Sequence, residues 1–506
     1  MSRKIGVVLS YVLMIFEVLS TLLLTPFIIR TLGQAEYGVY KLVVAINAYL
    51  LLLDLGVGNA IIRYVAKYKA SGEREKERQF LAVATIYYAV IALIALATGG
   101  VLIAVFPTTF ARGLSSQEIS LGQTLLAITM FNSAVTLGTA TYNNILIAYE
   151  RFAVSRITSI FQIIVRMILT YVVLVVGWGS VGIVAINLFM TVLCRGFFVG
   201  YVLIQLKIKP LFHGINFTFI KEITAYSSFI LLQMIATQIN STVDQLLIGS
   251  LVEASAVILA VYGVGTQIVQ YFQSIGTAFT GVLMPGVVKL VERNASPKEL
   301  TDEMIRIGRI IFMVLAVIWC GFVVFGQEFI ILWAGKENAG AYIVATILMS
   351  AYIFILTESM GTQILWAMNQ HKEQSILKII IVMLNIALTV VLIKWNPLIG
   401  ATIGTFISLM LGDVGVMNLI FKKKLTIKLS YYYKGIFRGI VQCTLLTLIS
   451  GIAIRHVFPS GWIWLIIKLS MIVCIYGTAM LTYGMTKYEK ELVLSILGKL
   501  RIIGGR

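Results

Sequence analysis

Residues 5–29 read IGVVLSYVLMIFEVLSTLLLTPFII, an apolar run broken by a single formal charge, Glu17. A helix of that length rises about 37 Å, enough to cross the ~30 Å hydrocarbon core of a bilayer. No small-residue cleavage pattern interrupts it, so it reads as a membrane-spanning helix and not as a signal peptide. Comparable runs follow at about 38–62, 80–106, 120–149, 153–177, 180–204, 222–250, 257–289, 308–332, 341–369, 376–396, 398–421, 435–455 and 462–486. Composition agrees, with 59% hydrophobic and only 12% charged residues and a mean hydropathy of +0.94. A soluble domain carries about twice that charge. The chain therefore reads as an all-α polytopic membrane protein of about 14 transmembrane helices. Its function must be to move, sense or process something in a membrane.

The basic residues are sorted by side. Loops after the even-numbered helices, together with the two ends of the chain, hold 31 of the 40 Lys and Arg. The opposite side holds Arg30, Lys41, Arg112, Lys336, Lys394 and Arg455, while Arg166, Arg195 and Lys468 fall within helices. The positive-inside rule then places both termini in the cytoplasm of a cell (plasma or inner) membrane protein. The formal charge of +18 reads as a topology and anionic-lipid signal, with no nucleic-acid partner implied.

An internal repeat organises the helices. Laid without gaps, Tyr37–Arg74 on Tyr262–Glu299 pairs Tyr37-Gly38-Val39 with Tyr262-Gly263-Val264, Gly56-Val57 with Gly281-Val282 and Ala70-Ser71 with Ala295-Ser296. With Val44 on Val269, 8 of 38 positions are identical, and a long basic loop follows both copies. Parallel repeats of this kind are typical of transporters that bind substrate between two halves. The expected organisation is an N-lobe over 1–210 (helices 1–6), a pseudo-symmetric C-lobe over 211–430 (helices 7–12), and an appended C-terminal helix pair with a cytoplasmic tail over 431–506.

Polar residues recur at helical spacing inside the spans. Helix 7 carries Gln233, Thr237, Asn240, Ser241 and Asp244, and helix 8 carries Thr266, Gln270, Gln273, Ser274 and Thr277. Helices 1, 2, 4 and 5 have similar stripes, including Tyr40, Asn47 and Asp54 at every seventh position of helix 2. Hydrogen bonding between packed helices explains any one stripe. Six together point to a hydrated cavity. A charge at a helix centre costs about 2.5–3.5 kcal/mol on insertion scales, so Glu17, Asp54, Arg166, Asp244 and Glu358 each need an aqueous cavity or a partner. Arg195, Lys468 and Asp413 lie nearer helix ends, where long side chains can snorkel.

No catalytic constellation emerges. His213, His371 and His456 are scattered, no Walker A pattern occurs, and Cys194, Cys320, Cys443 and Cys474 have neither ligand spacing nor a disulfide-like pattern. The expectation is a non-enzyme without metal or cofactor. A membrane-embedded glycosyltransferase or polymerase would need a sizeable external loop, and the external loops here are short.

The segment Thr25-Pro-Phe-Ile-Ile-Arg-Thr-Leu-Gly33, then Glu36-Tyr-Gly-Val-Tyr40, then Asp54-Leu-Gly-Val-Gly-Asn-Ala60 and its basic loop resembles the start of polysaccharide flippases. These are the Wzx-type O-antigen and repeat-unit translocases of the multidrug/oligosaccharidyl-lipid/polysaccharide (MOP) exporter superfamily. The run from Asp244 through Tyr262-Gly263 to Pro285 is similar to the corresponding repeat. The resemblance implies a fold like that of multidrug exporters and the peptidoglycan-precursor flippase, and alternating access through a cavity lined by helices 1, 2, 7 and 8. The implied substrate is a polyprenyl-(pyro)phosphate-linked oligosaccharide, moved from the inner to the outer leaflet for cell-surface polysaccharide synthesis. On that reading Arg30, Lys41 and Arg166 serve the phosphates, and Gln238, Asn240 and Gln270 the sugars. Asp54, Asp244 or Glu358 would pair with these bases or take a coupling Na+ or H+. Helices 13 and 14 would form a groove for the lipid tail or simply pack. Implied partners are membrane lipids, a polysaccharide polymerase and glycosyltransferases. The alternative is a cation-coupled multidrug exporter of the same fold, for which the acids Glu17, Asp54, Asp244 and Glu358 would line a net acidic cavity.

Overall fold

The computed structural model describes residues 3–54, 56–213, 218–368, 370, 372–493 and 495. His371 and the basic tail beyond 495 lie outside the described residues, as do the side chains of Arg3, Lys4, Lys221, Gln233, Lys289 and Lys372. The described residues contain helices and no strand. That follows from the sequence, because hydrocarbon offers no partner for a free backbone amide and a helix satisfies its own.

The helices are α1 (Arg3–Leu51), α2 (Val57–Ser71), α3 (Arg74–Phe110), α4 (Ser116–Gly138), α5 (Ala140–Ala148), α6 (Phe152–Val176), α7 (Gly179–Gly200) and α8 (Thr218–Leu251). There follow α9 (Ala256–Glu292), α10 (Pro297–Ala334), α11 (Ala341–Thr357), α12 (Ser359–Ala367), α13 (Lys372–Leu392), α14 (Pro397–Leu409) and α15 (Met417–Lys424). The last are α16 (Leu429–Phe437), α17 (Ile440–Val457) and α18 (Trp462–Ala479). As one rod α1 would run about 74 Å, more than twice the hydrocarbon thickness. It is not one rod: the chain leaves helical geometry at Gly33 (φ 73, ψ 173). Ser115 with Glu118 and Ser296 with Glu299 form capping boxes that start α4 and α10.

Among the described residues ten helices are long and apolar enough to cross a membrane, or eleven when the bent pair α11–α12 counts as one span. The expected fourteen is not confirmed by that count. Its first member, Val12–Ser71, is 60 residues long and contains the Gly33 break, and α8 and α9 are not in it although both are long helices. Two expected spans are also interrupted. Residues 120–149 divide at Thr139 into α4 and α5, and 341–369 divide at Glu358, where the axis bends by 43°. The sixth and twelfth expected spans both contain a π-helical turn, Tyr201–Gln205 and Met410–Val416.

The chain forms two compact units, Met1–Ala260 and Val261–Arg506. In the first, α2, α3, α5 and α7 enclose a core that includes Ile61, Val65, Phe80, Tyr88, Leu146 and Phe198. In the second, α10, α17 and α18 share Val324, Phe325, Ile454, Leu465 and Ile472. Large apolar side chains also point outward, with Leu93 65%, Val175 63% and Ile463 74% exposed. Such a surface would aggregate in water and suits lipid. Cys474 is exposed on α18.

Candidate functional site

The first unit is built around a break in the second span. After α1 the chain makes a single 3-10 turn, Leu52–Asp54, and α2 starts only after Gly56. Gly56 has φ 73, a conformation that glycine adopts without a steric penalty. The break frees backbone groups at membrane depth and turns Asp54 toward three other helices. Tyr88 Oη on α3 donates to Asp54 Oδ1 at 2.5 Å, and the Gly56 amide also donates to the Asp54 carboxylate. Asn144 on α5 bonds Tyr88, and Arg195 on α7 acts electrostatically on both Asp54 and Tyr88. Arg195 therefore does not merely snorkel. It belongs to a cluster of an acid, a phenol, an amide and a base drawn from four segments.

Above this cluster, α1 carries the remaining polar positions of the stripe. Asn47 accepts from Ser133 Oγ of α4 at 2.7 Å. Tyr49 bonds Thr242 and lies in the field of Asp244, both on α8. Lys41 is half-buried, its ammonium 5.6 Å from the centre of the Tyr37 ring. Arg166 is half-buried on α6 and acts electrostatically on Tyr40. It sits about 21 Å along α6 from Phe152, near the middle of the span. Among the described residues no carboxylate lies within ion-pair distance of Arg166.

The other expected binding residues are less gathered. Arg30 is exposed at the end of the first run of α1. Gln238 and Asn240 are half-buried on α8, and Gln238 donates to Thr242 Oγ1 of its own helix at 3.4 Å. Asp244 is buried. Gln270 is exposed on α9, in the second unit, where its carbonyl accepts from Ser274 Oγ at 2.8 Å.

In the second unit Glu358 sits at the α11–α12 bend and is buried. It accepts from Tyr433 Oη at 2.5 Å and from Asn418 Nδ2 at 3.1 Å on each oxygen. Close by, Lys378 pairs with Asp413 at 2.5 Å. Lys468 likewise does not snorkel. It is 1% exposed and pairs with Glu328 at 2.7 Å, joining α18 to α10. Between those two helices lies an apolar groove of about 330 Å³, lined among others by Gly321, Phe325, Phe329, Leu465, Leu469 and Ile472. Among the described residues no three His, Cys, Asp or Glu side chains come together as metal ligands.

Several residues that organise these sites were not singled out by sequence. Glu36 lies in the quoted motif, and its Oε1 accepts from the Ser180 amide at 2.6 Å, capping α7 from 144 residues away. Gly38, in the same motif, leaves room for the backbone of α9: a Cβ there would stand 1.8 Å from the Ala256 carbonyl oxygen. Arg309 is a buried hub whose guanidinium donates to both Glu489 oxygens and to the carbonyls of Gly435, Ile436, Arg438 and Gly484. The available signal was opposite charges in separate apolar spans, as with Glu328 and Lys468.

The sequence profile of the family described as "Polysaccharide biosynthesis protein" matches residues 6–291, more than half of the chain. The chain belongs to that family. No curated protein sequence matches it. Solved structures give the fold. Lipid II flippase MurJ in its inward closed conformation superposes with a TM-score of 0.71 at 16% identity, covering 94% of this chain and 98% of that one. An inward-facing multidrug resistance MATE family transporter of the MOP superfamily gives a TM-score of 0.63 at 14% identity, covering 81% and 96%. This member of the polysaccharide biosynthesis family is thus a multi-pass membrane protein that shares the fold of the MurJ and MATE structures.

Proposed function

We propose that the protein is a Wzx-type flippase. It carries a polyprenyl-(pyro)phosphate-linked oligosaccharide from the cytoplasmic to the outer leaflet of the cell membrane by alternating access, in cell-surface polysaccharide synthesis. Both termini are cytoplasmic in this reading. Residues 1–210 and 211–430 act as the two lobes and 431–506 as the appended pair. The polymerase and glycosyltransferases are its partners in the process, and Na+ or H+ drives it. One observation carries the proposal: Arg166 stands at mid-span with no carboxylate in ion-pair reach among the described residues. A guanidinium at that depth costs about 2.5–3.5 kcal/mol, and a diphosphate would offset the cost with charge-assisted bonds. Lys41 offers a second cation on α1, and the hydroxyls and amides of α8 suit a sugar.

The groove between α10 and α18 supports the same reading, since its apolar lining suits a polyprenyl tail. The alternative is a cation-coupled multidrug exporter. It draws on Glu17, Asp54, Asp244 and Glu358, of which Asp54 is held by Tyr88 and Arg195 and Glu358 by Tyr433 and Asn418. Replacement Arg166→Gln tests the proposal. Surface polysaccharide should be lost and lipid-linked repeat units should accumulate while folded protein stays at its normal level. Export unchanged by Arg166→Gln would remove the phosphate role.

A further inference from the structure

A cavity of about 920 Å³ takes no part in the account above. It lies in the first unit, on the face that carries the basic loops. The end of α2, the start of α3, Tyr149 and the segment after α7 surround it. Five basic side chains line it, Lys69, Arg74, Arg78, Lys207 and Lys209, against two acids, Glu75 and Glu77.

The walls are fixed. Arg78 Nε donates to the Lys209 carbonyl at 2.9 Å, and the Leu211 amide donates back to the Arg78 carbonyl at 3.0 Å. Glu77 is buried and accepts from Tyr149 Oη at 2.5 Å, so one of the two acids is engaged within the wall. The Lys69 ammonium lies 4.1 Å from the centre of the Tyr149 ring. Arg74, Lys207 and Lys209 are exposed and line the opening. Leu206, Ile208 and Leu211 give the cavity an apolar side.

Basic loops by themselves only orient a membrane protein. Here basic residues from three separate segments converge on one cavity, beside an apolar strip, where the spans Arg74–Phe110 and Gly179–Gln205 end. We infer that this cavity binds the phosphate headgroup of an anionic phospholipid of the adjacent leaflet. Lipid is favoured over free phosphate because the apolar strip, at the ends of two apolar spans, suits a glycerol backbone and the start of its acyl chains, which inorganic phosphate lacks. Basic pockets at the cytoplasmic ends of membrane helices commonly hold such headgroups. The site would act on the resting protein, apart from any substrate carried.

Native mass spectrometry of the purified full chain tests this directly, with phosphatidylglycerol, phosphatidylcholine of the same acyl chains, and inorganic pyrophosphate as probes. Phosphatidylglycerol should be retained at least about tenfold more tightly than phosphatidylcholine, and pyrophosphate should not displace it. The pair Lys207→Gln and Lys209→Gln should erase that preference, and Arg74→Gln, read independently, should weaken it. Lys422→Gln with Lys423→Gln removes the same charge from a basic loop of the second unit and should leave the preference intact. Equal retention of the two lipids, an equal loss in the Lys422 and Lys423 pair, or binding of pyrophosphate without a lipid preference would each overturn the inference. Export is not read, so the result is independent of the flippase proposal.

Discussion

Lys468 and Glu328 illustrate how single charges survive inside this protein. Each would be expensive alone in a membrane span, and together they meet at 2.7 Å with Glu328 also accepting from the Gly461 amide. Lys468→Met should destabilise the folded protein by about 3–5 kcal/mol, because it strands a carboxylate. Adding Glu328→Leu should restore most of the loss, read as thermal stability in detergent. A double variant no more stable than the single one would contradict this. The Arg309–Glu489 pair makes the same point with a pH handle. Burial pushes the Glu489 carboxyl up, but bonds from Arg309 and from the Thr486 amide outweigh it and hold the group below its ordinary value. A carboxylate whose folded value is depressed stabilises the fold above its unfolded value, and that stability is lost as pH falls through the folded one. As pH falls below about 5 the wild type should therefore lose more thermal stability than Glu489→Gln, whose amide does not titrate. Parallel curves would show that the pair contributes nothing.

Helices obey a cruder grammar, and that grammar was the legible part. Apolar runs and basic loops were enough to place most of the spans, since length and hydropathy are local properties. Breaks without a local marker were not legible. Gly138 precedes the break at Thr139, but a lone glycine in an apolar run is a weak marker, and no proline or glycine adjoins Glu358, where bonds from Tyr433 and Asn418 hold the carboxylate at the bend. The stripes were legible as positions and not as partners. Asn47 bonds across to Ser133, whereas Gln238 bonds within its own helix, and periodicity cannot separate those outcomes. The motif glycines differ in kind as well. Gly38→Ala would drive a methyl into the Ala256 carbonyl and should abolish folded protein. Gly33→Ala meets nothing within 4 Å and suffers only the backbone strain, about 1–3 kcal/mol. Size-exclusion profiles of the two variants decide it, and equal yields would contradict the close approach of Gly38 to the Ala256 backbone.

At the scale of the whole chain, three features have to be explained together: the net charge of +18, the many apolar spans, and a few polar clusters held inside them. The family profile reaches only residue 291, so it does not cover the α10–α18 groove or the Glu358 cluster, and their part in transport is argued from chemistry alone. Net positive charge can orient a membrane protein and attract anionic lipid, but it does not choose a cargo. In the proposed reading the choice between a lipid-linked diphosphate and a free organic cation is made at mid-span, by Arg166, which has no carboxylate in ion-pair reach among the described residues, and by the buried Asp244. Reconstituted vesicles measure that balance most directly. The purified protein should speed the movement of a fluorescent polyprenyl-diphosphate oligosaccharide between leaflets, and Arg166→Gln should bring the rate back to that of protein-free vesicles. Uptake of an amphiphilic cation with no movement of the glycolipid would contradict the account.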